Sequence, residues 1–333
     1  MINRLIKLAI LVLVVVAGWM TYFAYTPLVL SHTPYEFTLK HGSSLKSVSR
    51  QLTEAGVLPE PWSFTMLVRA LGKAGSIKAG NYQLVANLTP LELYYKITEG
   101  DVSQIEITFI EGWNFKQLRS ALNAHTGVLH DTVGLSDQDV MRRIGASESE
   151  AEGLFFPDTY YFANGMSDIS ILKRAYQIMQ THVADAWDKR DSGLPYTTPY
   201  EALIMASIVE KETGKASERP LIAAVFINRL RFHMRLQTDP TVIYGLGDRF
   251  DGNLHKHDLI ADTPYNTYTR AGLPPTPIAL PGLDSIEAAL HPAKSSALYF
   301  VAKGNGAHQF SGSLAEHNQA VVRYQLNGKG NKH

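Results

Sequence analysis

Residues 8–30 read LAILVLVVVAGWMTYFAYTPLVL, 23 consecutive positions without a charged side chain. Such a run predicts a helix roughly 35 Å long, enough to cross a bilayer. A cleaved signal peptide has a short apolar core and a small-residue cleavage site, whereas this run continues through Trp19, Tyr22, Phe23 and Tyr25. We therefore read 8–30 as a membrane anchor. Arg4 and Lys7 precede it, and no Lys or Arg follows until Lys40. The positive-inside rule then leaves a short cytoplasmic tail, 1–7, and exports everything after about residue 30.

The 333 residues suffice for more than one further domain. Basic and acidic side chains balance at 31 each, so no electrostatic case exists for nucleic acid as the main partner. Cysteine is absent, which excludes disulfides, thiolate nucleophiles and cysteine-ligated zinc. Beyond the anchor, a strand, two short helices, a second strand and a helix opened by Thr89-Pro90 predict a small module over 35–101. A larger α+β domain follows over 104–333, expected to wrap helices around a mostly antiparallel sheet of non-consecutive strands. Its long loop-rich stretch, 237–282, is the kind that usually carries function.

Within that domain, 199–213 predicts a helix: Thr198 as cap, Pro199 at the first position, Glu201 completing a capping box and Gly214 as the stop. Its end reads ASIVEKET. At about 100° per residue, Met205 and Ile208 lie within about 40° of Glu212, while Glu210 falls about 160° away on a more mixed side. A carboxyl among Met and Ile side chains is penalised when ionised, so its pKa rises and it becomes a proton donor, which cleavage of a glycosidic bond requires. The same pattern also fits a solvated helix end that both glutamates merely decorate. Periodicity nominates Glu212 and leaves the choice open.

ASIVEKET is followed by SERPLIAAVFINRL, MRLQTDPTVIYGLG, YNTYTRAGLPPTPIALPG and AALHPAKSSALYFVA. These long blocks, in this order, closely resemble the endolytic murein transglycosylases of the YceG-like family over nearly all of 104–325. The resemblance implies a membrane anchor and a LysM-like module ahead of the catalytic domain, matching 8–30 and 35–101. It implies that Glu212 is the catalytic acid, that the substrate is the MurNAc-β-1,4-GlcNAc bond of peptidoglycan, and that the product carries a 1,6-anhydro end without metal or other cofactor. The catalytic domain would be periplasmic, held at the cytoplasmic (inner) membrane, acting on nascent glycan strands and ending their elongation, with peptidoglycan synthases as partners. Gln237, Asp239, Tyr265, Asn266, Thr267 and Tyr268, in the loop-rich stretch, supply amide, hydroxyl and aromatic groups suited to sugar, although each also fits turn structure or packing. Glu152 and Asp158, in EGLFFPDTY, fit a turn around Pro157 equally and stay outside the catalytic set.

Other signals are weaker. SSLK at 43–46 has the Ser-x-x-Lys spacing of penicillin-binding proteins, but a helix-capping serine explains it and neither S-D-N nor K-T-G follows. HKH at 255–257, with His233, His291, His308 and His317, lacks an H-E-x-x-H frame and reads as solvated or packed histidines. The competing functional reading is an anchored peptidoglycan-binding scaffold without catalysis.

Overall fold

The computed structural model describes residues 2–30, 33, 35–40, 42–84, 86–100 and 104–326. Positions 1, 101–103 and 327–333, at the edges of the expected tail, module and larger domain, lie outside the described residues. The chain divides into two compact units. One takes in Met1–Glu106 with Gly127–Leu129 and Tyr161–Met166; the other takes in Ile107–Thr126, His130–Tyr160 and Ser167–His333.

The first unit opens with α1 (Ile2–Tyr25), of which Ile6–Tyr25 is long and apolar enough to cross a membrane. Next come β1 (Tyr35–Leu39), α2 (Leu45–Glu54), α3 (Pro61–Ala70), β2 (Gly80–Leu84) and α4 (Pro90–Tyr95). Strands β1 and β2 pair antiparallel, with Phe37 opposite Tyr82. Ser44 starts α2 by accepting from the Ser47 N–H at 3.2 Å, so the cap in SSLK is its second serine, and Ser43, which has the Ser-x-x-Lys spacing, stands just before it. Thr89 and Glu92 close a capping box on α4, which runs on as a π-helical turn, Lys96–Gly100. Both strands and the three short helices turn Leu39, Val48, Leu52, Phe64, Val68, Tyr82, Leu84, Leu93 and Ile97 inward, each at most 1% exposed. Each such side chain contributes roughly 1.5–3 kcal/mol by leaving water.

Further along lie β3 (Gln104–Thr108), α5 (Phe115–Ala124), β4 (Val128–Leu129), α6 (Asp137–Ile144), β5 (Thr159–Ala163), β6 (Met166–Ser167) and α7 (Asp168–Asp188). The chain continues through α8 (Pro199–Glu212), α9 (Arg219–Arg231), α10 (Asp239–Leu246), α11 (Lys256–Ile260), α12 (Leu283–Leu290), β7 (Tyr299–Ala302), β8 (His308–Ser311) and α13 (Leu314–Val321). The α+β class holds, but the expected single sheet does not form. Among the described residues the strands make four two-stranded sheets, β1-β2, β3-β5, β4-β6 and β7-β8. With two to five residues each, these strands cover little apolar surface.

Helices supply the core of the second unit instead. Helix α8 packs against α9 and α12, and every residue from 202 to 209 is buried. Ala202, Ala206, Ala223, Ala224, Ala288 and Ala289 let these helices approach closely. Ser207 is buried among them without an orphaned hydroxyl: it donates to the Ile204 carbonyl (2.7 Å) and accepts from the Ile278 N–H (3.0 Å). Helix α8 is therefore wrapped in protein on all sides. The chain in 236–282 passes its C-terminal end.

Candidate active site

Two carboxylates stand at the end of α8, and the packing gives them different tasks. Thr198 caps the helix start, accepting from the Glu201 N–H at 3.2 Å. The Glu201 carboxylate reaches one residue further back than a capping box requires, to the N–H and hydroxyl of Thr197 (2.5 and 2.9 Å). At the other end Glu212 is the last helical residue, and Thr213 leaves in extended conformation before Gly214 is reached.

Glu210 is well shielded, its side chain 6% exposed, and it is fully partnered. It binds Arg219 at 3.1 Å and accepts from the Gly282 N–H (3.0 Å) and the Ser285 hydroxyl (2.8 Å). Arg219 is itself tied to Asp284 at 3.2 Å. Glu210 is a buried brace between α8, α9 and α12.

Glu212 has no such counter-ion among the described residues. The Thr238 hydroxyl donates to its Oε1, and the residue lines a cavity of about 530 Å³. Burial is the dominant influence and raises its pKa above the ordinary carboxylate value. The Thr238 bond lowers it, nearby Asp239 raises it again, and the charges of His308 and Arg229 act in the lowering direction. The result is a carboxyl biased to keep its proton while facing open space.

Thr238 is held in turn. Its N–H donates to Thr267 Oγ1 (3.1 Å), and the Thr267 and Thr241 hydroxyls lie 2.9 Å apart. Gln237, just before it, has a φ of 51°, the left-handed region that a residue with a Cβ rarely adopts. That outlier lies beside the candidate acid, where local strain often serves placement.

The opposite walls come from α9, β7, β8 and α13. Arg229 lies under the Tyr299 ring (5.2 Å to the centroid) and donates to the carbonyls of Leu298 (2.7 Å) and Leu236 (2.8 Å). His308 gives its Nδ1 to Glu218 Oε2 at 2.7 Å, and its backbone N–H donates to the same carboxylate. Burial works against ionised Glu218, but the bonds from His308 outweigh it and the pKa falls below its ordinary value. A carboxylate on Nδ1 fixes the proton there, leaving Nε2 as the nitrogen available to the cavity. Phe226, Phe300 and Leu314 complete an apolar side.

Of the six contacts expected from sequence, Gln237, Asp239 and Tyr268 line the Glu212 cavity. Tyr268 donates its hydroxyl to Asp239 at 2.5 Å, and its own pKa is raised by burial and by that carboxylate. The other three are placed differently. Asn266 is fully buried, and its amide donates to the carbonyls of Asp258 (3.0 Å), Leu259 (3.2 Å) and Ala261 (2.7 Å), so it folds the loop. Thr267 is 2% exposed and acts through Thr238. Tyr265 donates to or accepts from Thr276 (2.9 Å) and lines a second cavity, of about 720 Å³.

Glu152 also faces that second cavity, accepting from the Phe115 N–H (3.2 Å) and the Tyr244 hydroxyl (3.1 Å). Burial pushes it up to about 7. Gly153 beside it has a φ of 77°, and a Cβ there would come within 2.3 Å of Pro277. The EGLFFPDTY stretch thus has a packing role. Sequence reasoning missed Thr238, Arg229 and Tyr299, and read His308 only as a solvated or packed histidine. Only Arg229 carried a signal, a charge inside the apolar run AAVFINRL.

A family model described as the YceG-like family matches residues 37–323. The chain belongs to the YceG-like family. An endolytic murein transglycosylase of Bacillus subtilis (strain 168) is 33% identical over 311 residues, 88% of this chain and 86% of the relative. One from Streptococcus pneumoniae serotype 2 (strain D39) is 25% identical over 351 aligned residues, covering 93% of this chain but 63% of that protein. The crystal structure of a YceG-like protein from Listeria monocytogenes superposes with a TM-score of 0.54 at 30% identity, over 86% of this chain and 98% of that one. The YceG-like match spans every residue of the Glu212 cavity named above.

Proposed function

We propose that this chain is a membrane-anchored endolytic lytic transglycosylase that cuts the MurNAc-β-1,4-GlcNAc bonds of peptidoglycan and leaves 1,6-anhydroMurNAc ends. The observation that carries this reading is the Glu212 carboxyl itself: desolvated, without a salt-bridge partner among the described residues, held at Oε1 by Thr238 and lining a cavity of about 530 Å³. Protonated Glu212 gives its proton to the bridging oxygen as the C1–O bond breaks. The MurNAc 6-hydroxyl oxygen then closes on C1, and its proton passes to the Glu212 carboxylate, restoring the acid. Because the nucleophile belongs to the substrate, one carboxyl serves both steps. Gln237, Tyr268, Arg229 and His308 offer polar groups to the sugar around the developing charge.

Helix α1 serves as the anchor, with its N-terminus cytoplasmic and the catalytic unit periplasmic. The β1-α2-α3-β2 arrangement supports a LysM-like module. An enzyme held near the outer face of the membrane meets new glycan first, so its role is to end nascent strands beside the synthases that extend them.

Asp239 favours a second reading. It shares the cavity with Glu212 and is the second carboxylate that an ordinary hydrolase uses. Digestion of defined peptidoglycan separates these readings, since mass spectrometry distinguishes anhydro from reducing ends. Glu212→Gln should fold normally and release neither. Binding to sacculi without release by the wild type would leave a scaffold.

A further inference from the structure

Within the first unit, the last turns of α1 are packed against the small module. Phe23, Ala24 and Leu28 are buried in its core, the Leu28 N–H donates to the Leu88 carbonyl (2.8 Å), and Trp19 stacks on Trp62 of α3 with ring centroids 4.7 Å apart. By contrast Leu8, Ile10 and residues 11–15 of α1 are each more than half exposed. Trp19 precedes the end of the apolar span, Tyr25, by six residues, or about 9 Å along the helix axis. The 20 residues of that span cover about 30 Å, the thickness of a hydrocarbon core. A ring stacked on Trp19 therefore shares its depth, inside the outer edge of the bilayer.

We propose that the small module is seated in the outer leaflet through the exposed face of α3, with bilayer lipid as the partner. This rests on the reading of α1 as a membrane anchor. Trp62 and Met66 lie four residues apart on one helical face and are 52% and 43% exposed, although Phe64, Leu67 and Val68 on the other face are buried. Arg69 continues the same face and is exposed. A tryptophan and a methionine followed by an arginine match the order of chemistry from acyl chains to phosphate headgroups. An apolar cleft of about 370 Å³ opens where α1 meets the module, walled by Tyr22, Phe23, Val57 and Pro90. Glu60 also lines it, and its buried Oε1 has no hydrogen-bond partner among the described residues. The module is then fixed at the membrane surface rather than swinging on a tether.

The test uses the full-length chain in phosphatidylethanolamine and phosphatidylglycerol vesicles whose acyl chains carry bromine. The four tryptophans are reduced to one by Phe substitution, leaving either Trp19 or Trp62. Loss of Trp62 emission to the bromolipid, with protection from aqueous iodide, is the expected result. Quenching of Trp19 by lipid with Trp62 reached only by iodide overturns the proposal and spares the anchor. Trp19 reached only by iodide removes the anchor and the proposal together. Trp62 reached by neither quencher means that protein, such as a second copy, covers the face, and the proposal fails. Should the Phe substitutions disturb folding, Met66→Cys gives a unique label site in this cysteine-free chain. A nitroxide there should be more accessible to oxygen than to a water-soluble nickel reagent, and the reverse order overturns the proposal.

Discussion

The Thr238 hydroxyl donates to Oε1 of Glu212, so the orientation of the candidate acid is set by a residue from a different part of the chain. This bond stabilises the ionised carboxyl, against the stronger effect of burial. Thr238→Val should therefore raise the pKa of Glu212 further and move the alkaline limb of the pH–rate profile to higher pH. It should also lower turnover by roughly 10- to 100-fold, because a freed carboxyl is no longer aimed. Anhydro-muropeptide release measured from pH 5 to 9 checks both effects. An unmoved limb would remove Thr238 from the site.

The two glutamates of the E-K-E triplet should separate in stability. Glu210→Ala takes one carboxylate from the buried Arg219 guanidinium, which keeps Asp284, and leaves the Gly282 N–H without its acceptor, so it should cost about 1–3 kcal/mol. Glu212→Gln removes a desolvated carboxyl, so it should be neutral or stabilising at neutral pH while activity disappears. Urea denaturation of both variants at pH 7 decides the matter.

Glu218 should control the tautomer of His308. Its bond to Nδ1 predicts that neutral His308 carries its proton there, with Nε2 as the acceptor. Nitrogen-15 shifts of the labelled imidazole should report that form in the wild type and its loss in Glu218→Ala. If Nε2 meets the sugar, His308→Ala should lower kcat/KM by about tenfold, the equivalent of one lost hydrogen bond. A variant with unchanged kinetics would make the pair purely structural.

Glu152 should give stability a pH dependence unrelated to catalysis. Its pKa rises from 4.5 in the unfolded chain to about 7 in the folded one. A raised value means that the folded state holds the proton more tightly, so this contribution is complete below pH 4.5 and is lost as pH climbs through 7. The whole change is roughly 3 kcal/mol. Denaturation midpoints at pH 5 and pH 8 should differ by less in Glu152→Gln than in the wild type.

Local sequence determined the features that depend on neighbours in the chain. The uncharged run of α1, the caps at Ser44, Thr89 and Thr198, and the extent of α8 follow from solvation and from backbone groups within a few residues. Glu212 was also legible, though its argument was incomplete. A helical wheel set Glu212 on an apolar stripe and Glu210 on a mixed side, yet residues 202 to 209 of α8 are buried all round, and the Glu210 side chain is shielded too.

Only tertiary structure decided what distinguishes them: Arg219 neutralises Glu210, whereas Glu212 meets a threonine hydroxyl and a cavity. It likewise sent Asn266 and Thr267 into the interior and brought Arg229 and His308 to the wall. Partner choice for a buried polar group depends on which distant segments share its volume. Periodicity along one helix carries no record of that.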